Sequence, residues 1–229
     1  MFRAAIFDMD GTLVDSERVI MHAWLEAAAT LGCPLAPHIY SQVIGLNELE
    51  SDALLIAALG GAERYAAVRA LAVQQLAAPT EGSIFPLRPG VEALLRELRA
   101  RAIPCAVASS SAAADIEDRL TRTGVRQYFA AVAGGDEVAR GKPDPAVYQL
   151  AAARLGVPAT SCLAFEDSEH GATAALRAGA SVVFVPDMRL PSERMAAQLL
   201  HVLGTLEAAL PHVPAWFASL RPGGPSDPD

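Results

Sequence analysis

Lysine is nearly missing from this chain: of its 18 Lys and Arg residues one alone, Lys142, is lysine. Positive charge is scarce overall, with a formal net charge of −8, which excludes the basic face that nucleic-acid phosphates require. No run approaches the roughly 20 apolar residues of a membrane span. The N-terminus enters Ala4-Ala5-Ile6-Phe7-Asp8 directly, without the apolar stretch of a secretory leader. Cysteine is limited to Cys33, Cys105 and Cys162, odd in number and each in an apolar stretch. That usage predicts buried free thiols in a reducing, cytoplasmic setting. Aromatics make up only 6%, and the abundance of Ala and Leu favours a helix-rich α/β chain over an all-β one. What is present, 229 residues at 52% hydrophobic, is enough for one good core and a smaller accessory domain.

Ala4 to Asp10 reads as a buried strand ending in the turn signal Asp10-Gly11. Apolar residues recur at helical spacing from Ser16, a predicted N-cap, to about Leu31. Helical patterns continue to about Ala78 with breaks at Cys33-Pro34, Gly45 and Gly60-Gly61, and Pro79 to Pro89 marks the way back. The chain then alternates: helix Pro89–Arg101, strand Pro104–Ser109, helix Ala112–Arg122, strand Tyr128–Gly134, helix Pro143–Leu155, strand Ser161–Asp167, helix Ser168–Ala178, strand Ser181–Val185. Apolar strands alternating with helices predict a parallel sheet covered on both faces. The predicted architecture is an α/β core over residues 1–16 and 87–220, an all-helical insert over 17–86, and a flexible tail over 221–229 rich in Pro, Gly and Asp.

A parallel sheet gathers its polar residues at the carboxyl ends of its strands. Here that edge collects Asp8 and Asp10 from the first strand, Ser109-Ser110-Ser111 from the second, Glu166-Asp167 from a later one, and Lys142-Pro143 at a predicted helix start. Four carboxylates in so small a space repel at about 4 kcal/mol per pair at 4 Å, so a cation is called for. All-oxygen ligands point to a hard ion, Mg²⁺, which also takes substrate phosphate. With Mg²⁺ and Lys142 present, the Asp8 carboxylate can attack a phosphoryl group without an activating base. Asp10 would protonate the leaving oxygen and then activate water, a role that crowding by neighbouring carboxylates would suit by raising its pKa.

These residues carry a family resemblance. Asp8-Met9-Asp10-Gly11-Thr12-Leu13-Val14-Asp15-Ser16 resembles the first motif of the haloacid dehalogenase-like phosphatases. Val107-Ala108-Ser109-Ser110, Gly141-Lys142-Pro143-Asp144-Pro145 and Phe165-Glu166-Asp167-Ser168 resemble the second, third and fourth, in order. The resemblance implies a Rossmann-like core with a mobile helical cap. It implies an aspartyl-phosphate on Asp8, with Asp10 as general acid/base and Ser109, Ser110 and Lys142 binding phosphate. Mg²⁺ would be held by Asp8, the Asp10 carbonyl and Asp167, with Glu166 acting through water. Lysine is retained here because a compact point charge suits this place better than a planar fork.

Asp10 argues against the metal-free dehalogenases, which lack the second aspartate, and a cap without lysine argues against the phosphonoacetaldehyde hydrolases. The resemblance is greatest to the branch of β-phosphoglucomutases and sugar-phosphate phosphatases. The mutases' cap histidine and arginine are matched here by Ile20 and Glu48, and their cap lysine is missing. His22 lies two residues off, on another helix face. Hydrolysis of a small phosphorylated metabolite, a sugar or polyol phosphate, is therefore expected, with mutase activity and non-catalytic phospho-ligand binding as alternatives. Glu17, Ile20, Trp24, Asn47 and Glu48 are the candidate substrate residues of the cap. Asp15 and Ser16 would shape the hinge, Asp136 and Asp144 would be structural, and the chain would be a monomer or weak homo-oligomer.

Overall fold

The computed structural model describes residues 1–43, 48–76 and 85–217. Strand β1 (Ala4–Phe7) leads into four helices, α1 (Ser16–Thr30), α2 (Pro37–Val43), α3 (Glu48–Leu59) and α4 (Ala62–Leu76). Alternation then follows: α5 (Val91–Ala100), β2 (Cys105–Ala108), α6 (Ala113–Arg122), β3 (Ala131–Ala133), α7 (Ala146–Arg154), β4 (Cys162–Glu166), α8 (Glu169–Ala178), β5 (Ser181–Phe184) and the two-residue β6 (His201–Val202). All strand pairs are parallel and the order is β3-β2-β1-β4-β5-β6. This is a Rossmann-like α/β core with a helical cap. The strand order reverses at β1, which places a cleft beyond its carboxyl end, between β2 and β4.

The apolar strands are explained by burial on both faces. Ala5 and Phe7 point into a core with Leu94, Leu95 and Leu98, while Ala4 and Ile6 point into another with Val147 and Tyr148. Phe7 stacks on Phe165 of the neighbouring strand, centroids 4.7 Å apart and planes 7° apart, a pair worth about 0.5–1.5 kcal/mol beyond its buried area. The helices α1–α4 have a third core of their own around Trp24, Tyr40, Tyr65 and Val68; Ile20 and Leu76 pack against both this core and the one beneath Phe7. Among the described residues no helix is long and apolar enough to cross a membrane. All three cysteines are free; Cys105 and Cys162 are buried as expected, but Cys33 at the end of α1 is half-exposed.

Several local expectations need correction. Ser16 is not an N-cap but the first residue of α1, with its Oγ buried and unpartnered. Asp15 occupies the cap position, yet its carboxylate pairs with Arg18 rather than capping the helix. Pro143 does not begin a helix either: α7 starts at Ala146, whose amide is held by the Asp144 carboxylate, after a turn that directs Lys142 back to β1. β3 is shorter than the predicted strand Tyr128–Gly134: Tyr128 closes a partly exposed 3-10 turn, Arg126–Tyr128, and the strand itself is Ala131–Ala133. β6 was not expected; two residues are too few to show a period. The predicted tail and Gly45 lie outside the described residues.

Candidate active site

Asp8 follows the last residue of β1 and donates its amide to the Phe165 carbonyl of β4. This cross-strand bond brings the two acidic strand ends together. Glu166 is the last residue of β4 and Asp167 the next. Oxygens of Asp8, Glu166 and Asp167 lie within 4.8 Å of one another. Lys142 Nζ bridges two of them, 2.5 Å from Asp8 Oδ1 and 2.6 Å from Glu166 Oε1. The lysine side chain is 7% exposed and that of Glu166 is fully buried.

Burial decides the electrostatics. It pushes the Asp8 carboxyl up to about 8 against the pull of Lys142, with Glu166 and Asp10 adding repulsion. Burial also raises Asp167 well above the carboxylate range, reinforced by Asp8 and Glu166. Lys142 is held above its usual value by the same two carboxylates it bridges, despite its own burial. The cluster thus has more negative charge than its lysine balances. Four carboxylates, with Asp10, face two cations, Lys142 and Arg119, leaving the charge that one divalent ion would neutralise. The all-oxygen donor set fits a hard cation of that kind.

Glu166 has both oxygens engaged. Oε1 accepts from Lys142 and from Tyr148 Oη at 2.7 Å; Oε2 accepts from Ser168 Oγ at 3.1 Å and from the amides of Asp167 and Ser168. Ser168 Oγ meanwhile caps α8 by accepting from the Gly171 amide. A Cβ on Gly171 would sit 1.8 Å from Glu166 Oε1. Gly171→Ala is therefore expected to lower stability by about 2–4 kcal/mol, since overpacking and a disturbed buried ion pair coincide; the shift should appear in the denaturant midpoint at unchanged slope. Gly11, at φ +81°, has a similar job: a Cβ there would lie 2.1 Å from Asp167 Oδ2.

Ser109 follows the last residue of β2, with its side chain buried and its Oγ accepting from the Ser111 amide at 3.1 Å. Ser110 is exposed beside it. Asp10 is ion-paired with Arg119 of α6 at 2.6 Å and accepts from Ser111 Oγ at 3.0 Å. Neither partner was foreseen.

The cap candidates part company. Glu17 lies near Asp10, its pKa raised by burial and by the charges of Asp10 and Asp187. Ile20 is an apolar contact between cap and core. Trp24 is cap core, 5.7 Å from the Tyr65 ring and 6.0 Å from that of Tyr40, so packing accounts for it. His22 is exposed. Glu48 opens α3, but its side chain and all of Asn47 lie outside the described residues. Asp136 accepts from the Ala113 amide and Asp144 from that of Ala146, both structural. A further group ties the cap to β5: Asp187 Oδ1 pairs with Arg18 of α1 at 2.5 Å and with Arg88 at 2.8 Å, with its side chain 1% exposed. Arg189 donates to the Ser41 and Gln42 carbonyls at the end of α2. Nothing in the sequence separates these arginines from the others.

A family model described as haloacid dehalogenase-like hydrolase matches residues 2–179. The phosphorylated carbohydrates phosphatase of Thermotoga maritima is 31% identical over 79% of this chain and 83% of its own. The fructose-1-phosphate phosphatase YqaB of Escherichia coli is 33% identical over 82% of this chain and 97% of its own. The crystal structure of CbbY from Rhodobacter sphaeroides in complex with phosphate is similar at a TM-score of 0.69 and 27% identity, covering 91% of this chain and 96% of that one.

Proposed function

The chain belongs to the haloacid dehalogenase-like hydrolases and is a phosphoric monoester hydrolase; from that premise we propose that it dephosphorylates a small sugar or polyol phosphate through an aspartyl-phosphate on Asp8. The observation that carries this reading is the Lys142 ammonium, held between Asp8 and Glu166 beside Asp167. A carboxylate nucleophile can meet an anionic phosphoryl group only where such positive charge is in place.

Asp8 attacks phosphorus as the bond to the leaving oxygen breaks, and Asp10 delivers a proton to that oxygen. Asp10 then takes a proton from water, whose oxygen attacks the phosphoryl group and frees Asp8 and phosphate. Lys142 and Ser109 hold the phosphoryl oxygens. Tyr148 and Ser168 fix Glu166, and Glu166 fixes Lys142. Mg²⁺ would be held by Asp8, Asp167 and the Asp10 carbonyl, with Glu166 behind them, and would supply charge neutralisation at the phosphoryl oxygens. Both relatives named above for phosphorylated carbohydrates support a sugar-type substrate, as does Glu17, a cap carboxylate suited to hydroxyls rather than a second phosphate.

A phosphate-release screen over sugar phosphates, polyol phosphates, phosphoglycolate, phosphogluconate and nucleotides tests this. Release is expected for sugar or polyol phosphates with Mg²⁺, falling by about a hundredfold or more in excess chelator. Conversion of β-glucose 1-phosphate to glucose 6-phosphate without net phosphate release would replace hydrolysis with mutase chemistry.

A further inference from the structure

Asp10 is asked to give a proton in one step and take one in the next, so its carboxylate must be held in place through both. We propose that Arg119 is the residue that positions it, an inference that rests on the phosphatase reading above. Arg119 Nη1 donates to Asp10 Oδ1 at 2.6 Å while Ser111 Oγ donates to Oδ2 at 3.0 Å, so each oxygen has one fixed donor. Among the described residues Arg119 is the cation paired with Asp10. Without it, Asp10 would lose its ion-pair partner while Asp8 and Glu17 remain close enough to repel it.

The arginine is itself well seated. It projects from α6, which is anchored by the fully buried Ile116 and Leu120, and the first amide of that helix is fixed by Asp136. The guanidinium also lies 4.9 Å over the ring of Phe85, which is buried in the segment returning from the cap. One side chain therefore joins α6, the general acid/base and the cap's return segment. A planar guanidinium suits this, offering an edge to a carboxylate and a face to a ring. Asp10 is placed from the cap side as well as from the sheet.

The test separates substrates by their need for an acid. p-Nitrophenolate leaves without protonation, whereas the alkoxide of fructose 1-phosphate does not. kcat/KM extends only to departure of the leaving group, so the later use of Asp10 as base does not enter it. Arg119→Met is expected to lower kcat/KM for fructose 1-phosphate by about 30-fold, within the range that general acid catalysis supplies. For p-nitrophenyl phosphate the change should stay within about threefold. Arg119→Lys, which keeps the charge, should recover much of the loss on fructose 1-phosphate. Equal losses on both substrates would reduce Arg119 to a structural residue; no loss, or a gain, on fructose 1-phosphate would equally overturn the assignment. Where the screen returns another sugar phosphate, that ester takes the place of fructose 1-phosphate; absence of phosphate release by the wild type from every ester of the screen would instead remove the phosphatase reading, and this assignment with it.

Discussion

Asp8→Asn is expected to abolish phosphate release, by a factor of about 10⁴ or more, while leaving the protein as stable as its parent or more so. The amide keeps the shape of the carboxylate but is no nucleophile, and no other described carboxylate sits against Lys142 with an oxygen to spare: Glu166 has both of its own occupied. The stability half of the prediction follows from burial. With the folded Asp8 pKa pushed up to about 8 from its ordinary 3.8, the folded state of the metal-free protein binds the proton more tightly than the unfolded state. The stability this contributes is present at low pH and is lost as pH rises through that window. Asparagine is exempt, so the advantage of the variant should grow between about pH 4 and pH 8 in chelator-treated protein. Phosphate release together with denaturant midpoints across that range checks both halves. Turnover that survives the substitution would mean that the nucleophile lies elsewhere.

Lys142→Met should show the opposite combination, loss of activity with a large loss of stability. It leaves Asp8 and Glu166 facing each other in a buried site without their shared cation, a change worth about 3–5 kcal/mol at neutral pH. Tyr148 and Ser168 would still hold Glu166 but cannot cancel its charge. The carboxyl groups left behind would bind protons more readily in the folded state than in the unfolded one. The deficit should therefore shrink as pH is lowered, and urea midpoints at pH 5 and pH 8 would show it. Lys142→Arg should recover most of the stability but little of the activity: the ammonium fits between partners at 2.5 and 2.6 Å with 7% of its side chain exposed, which a planar fork cannot match. A methionine variant as stable as the parent at pH 8 would show that the ion pair does not hold this site together.

The legible part of this protein was what repeats or what ends a run. Ala4–Phe7 reads as a strand because both its faces are buried, and the acidic residues after it stand out against an apolar background. The same contrast located Ser109, Lys142 and Glu166-Asp167, and the convergence of these groups follows from parallel topology alone. What could not be read was partner choice. Seventeen arginines differ in sequence only by their neighbours, and Arg119, Arg18 and Arg88 take on distinct roles only because the fold sets carboxylates before them. Trp24 failed for a related reason: a large ring on a cap helix is equally at home in a binding face and in a packed core, and Tyr40 and Tyr65 claim it for the core. Ser16 and Pro143 have the right residue types for helix starts, yet a competing ion pair at Asp15 and the turn that delivers Lys142 set the boundaries instead.

The solitary lysine also fixes how the molecule responds to reagents. Amine-selective chemistry such as reductive alkylation has one lysine to find on the chain, Lys142, besides the N-terminal amine. That lysine is screened from solvent and bound to two carboxylates. Labelling beyond the terminal amine would therefore report the opening of this one site, and bound phosphate would suppress it. A chain that spells nearly all its cations as arginine has, without added tags or engineered residues, a built-in gauge of when its reaction centre is accessible.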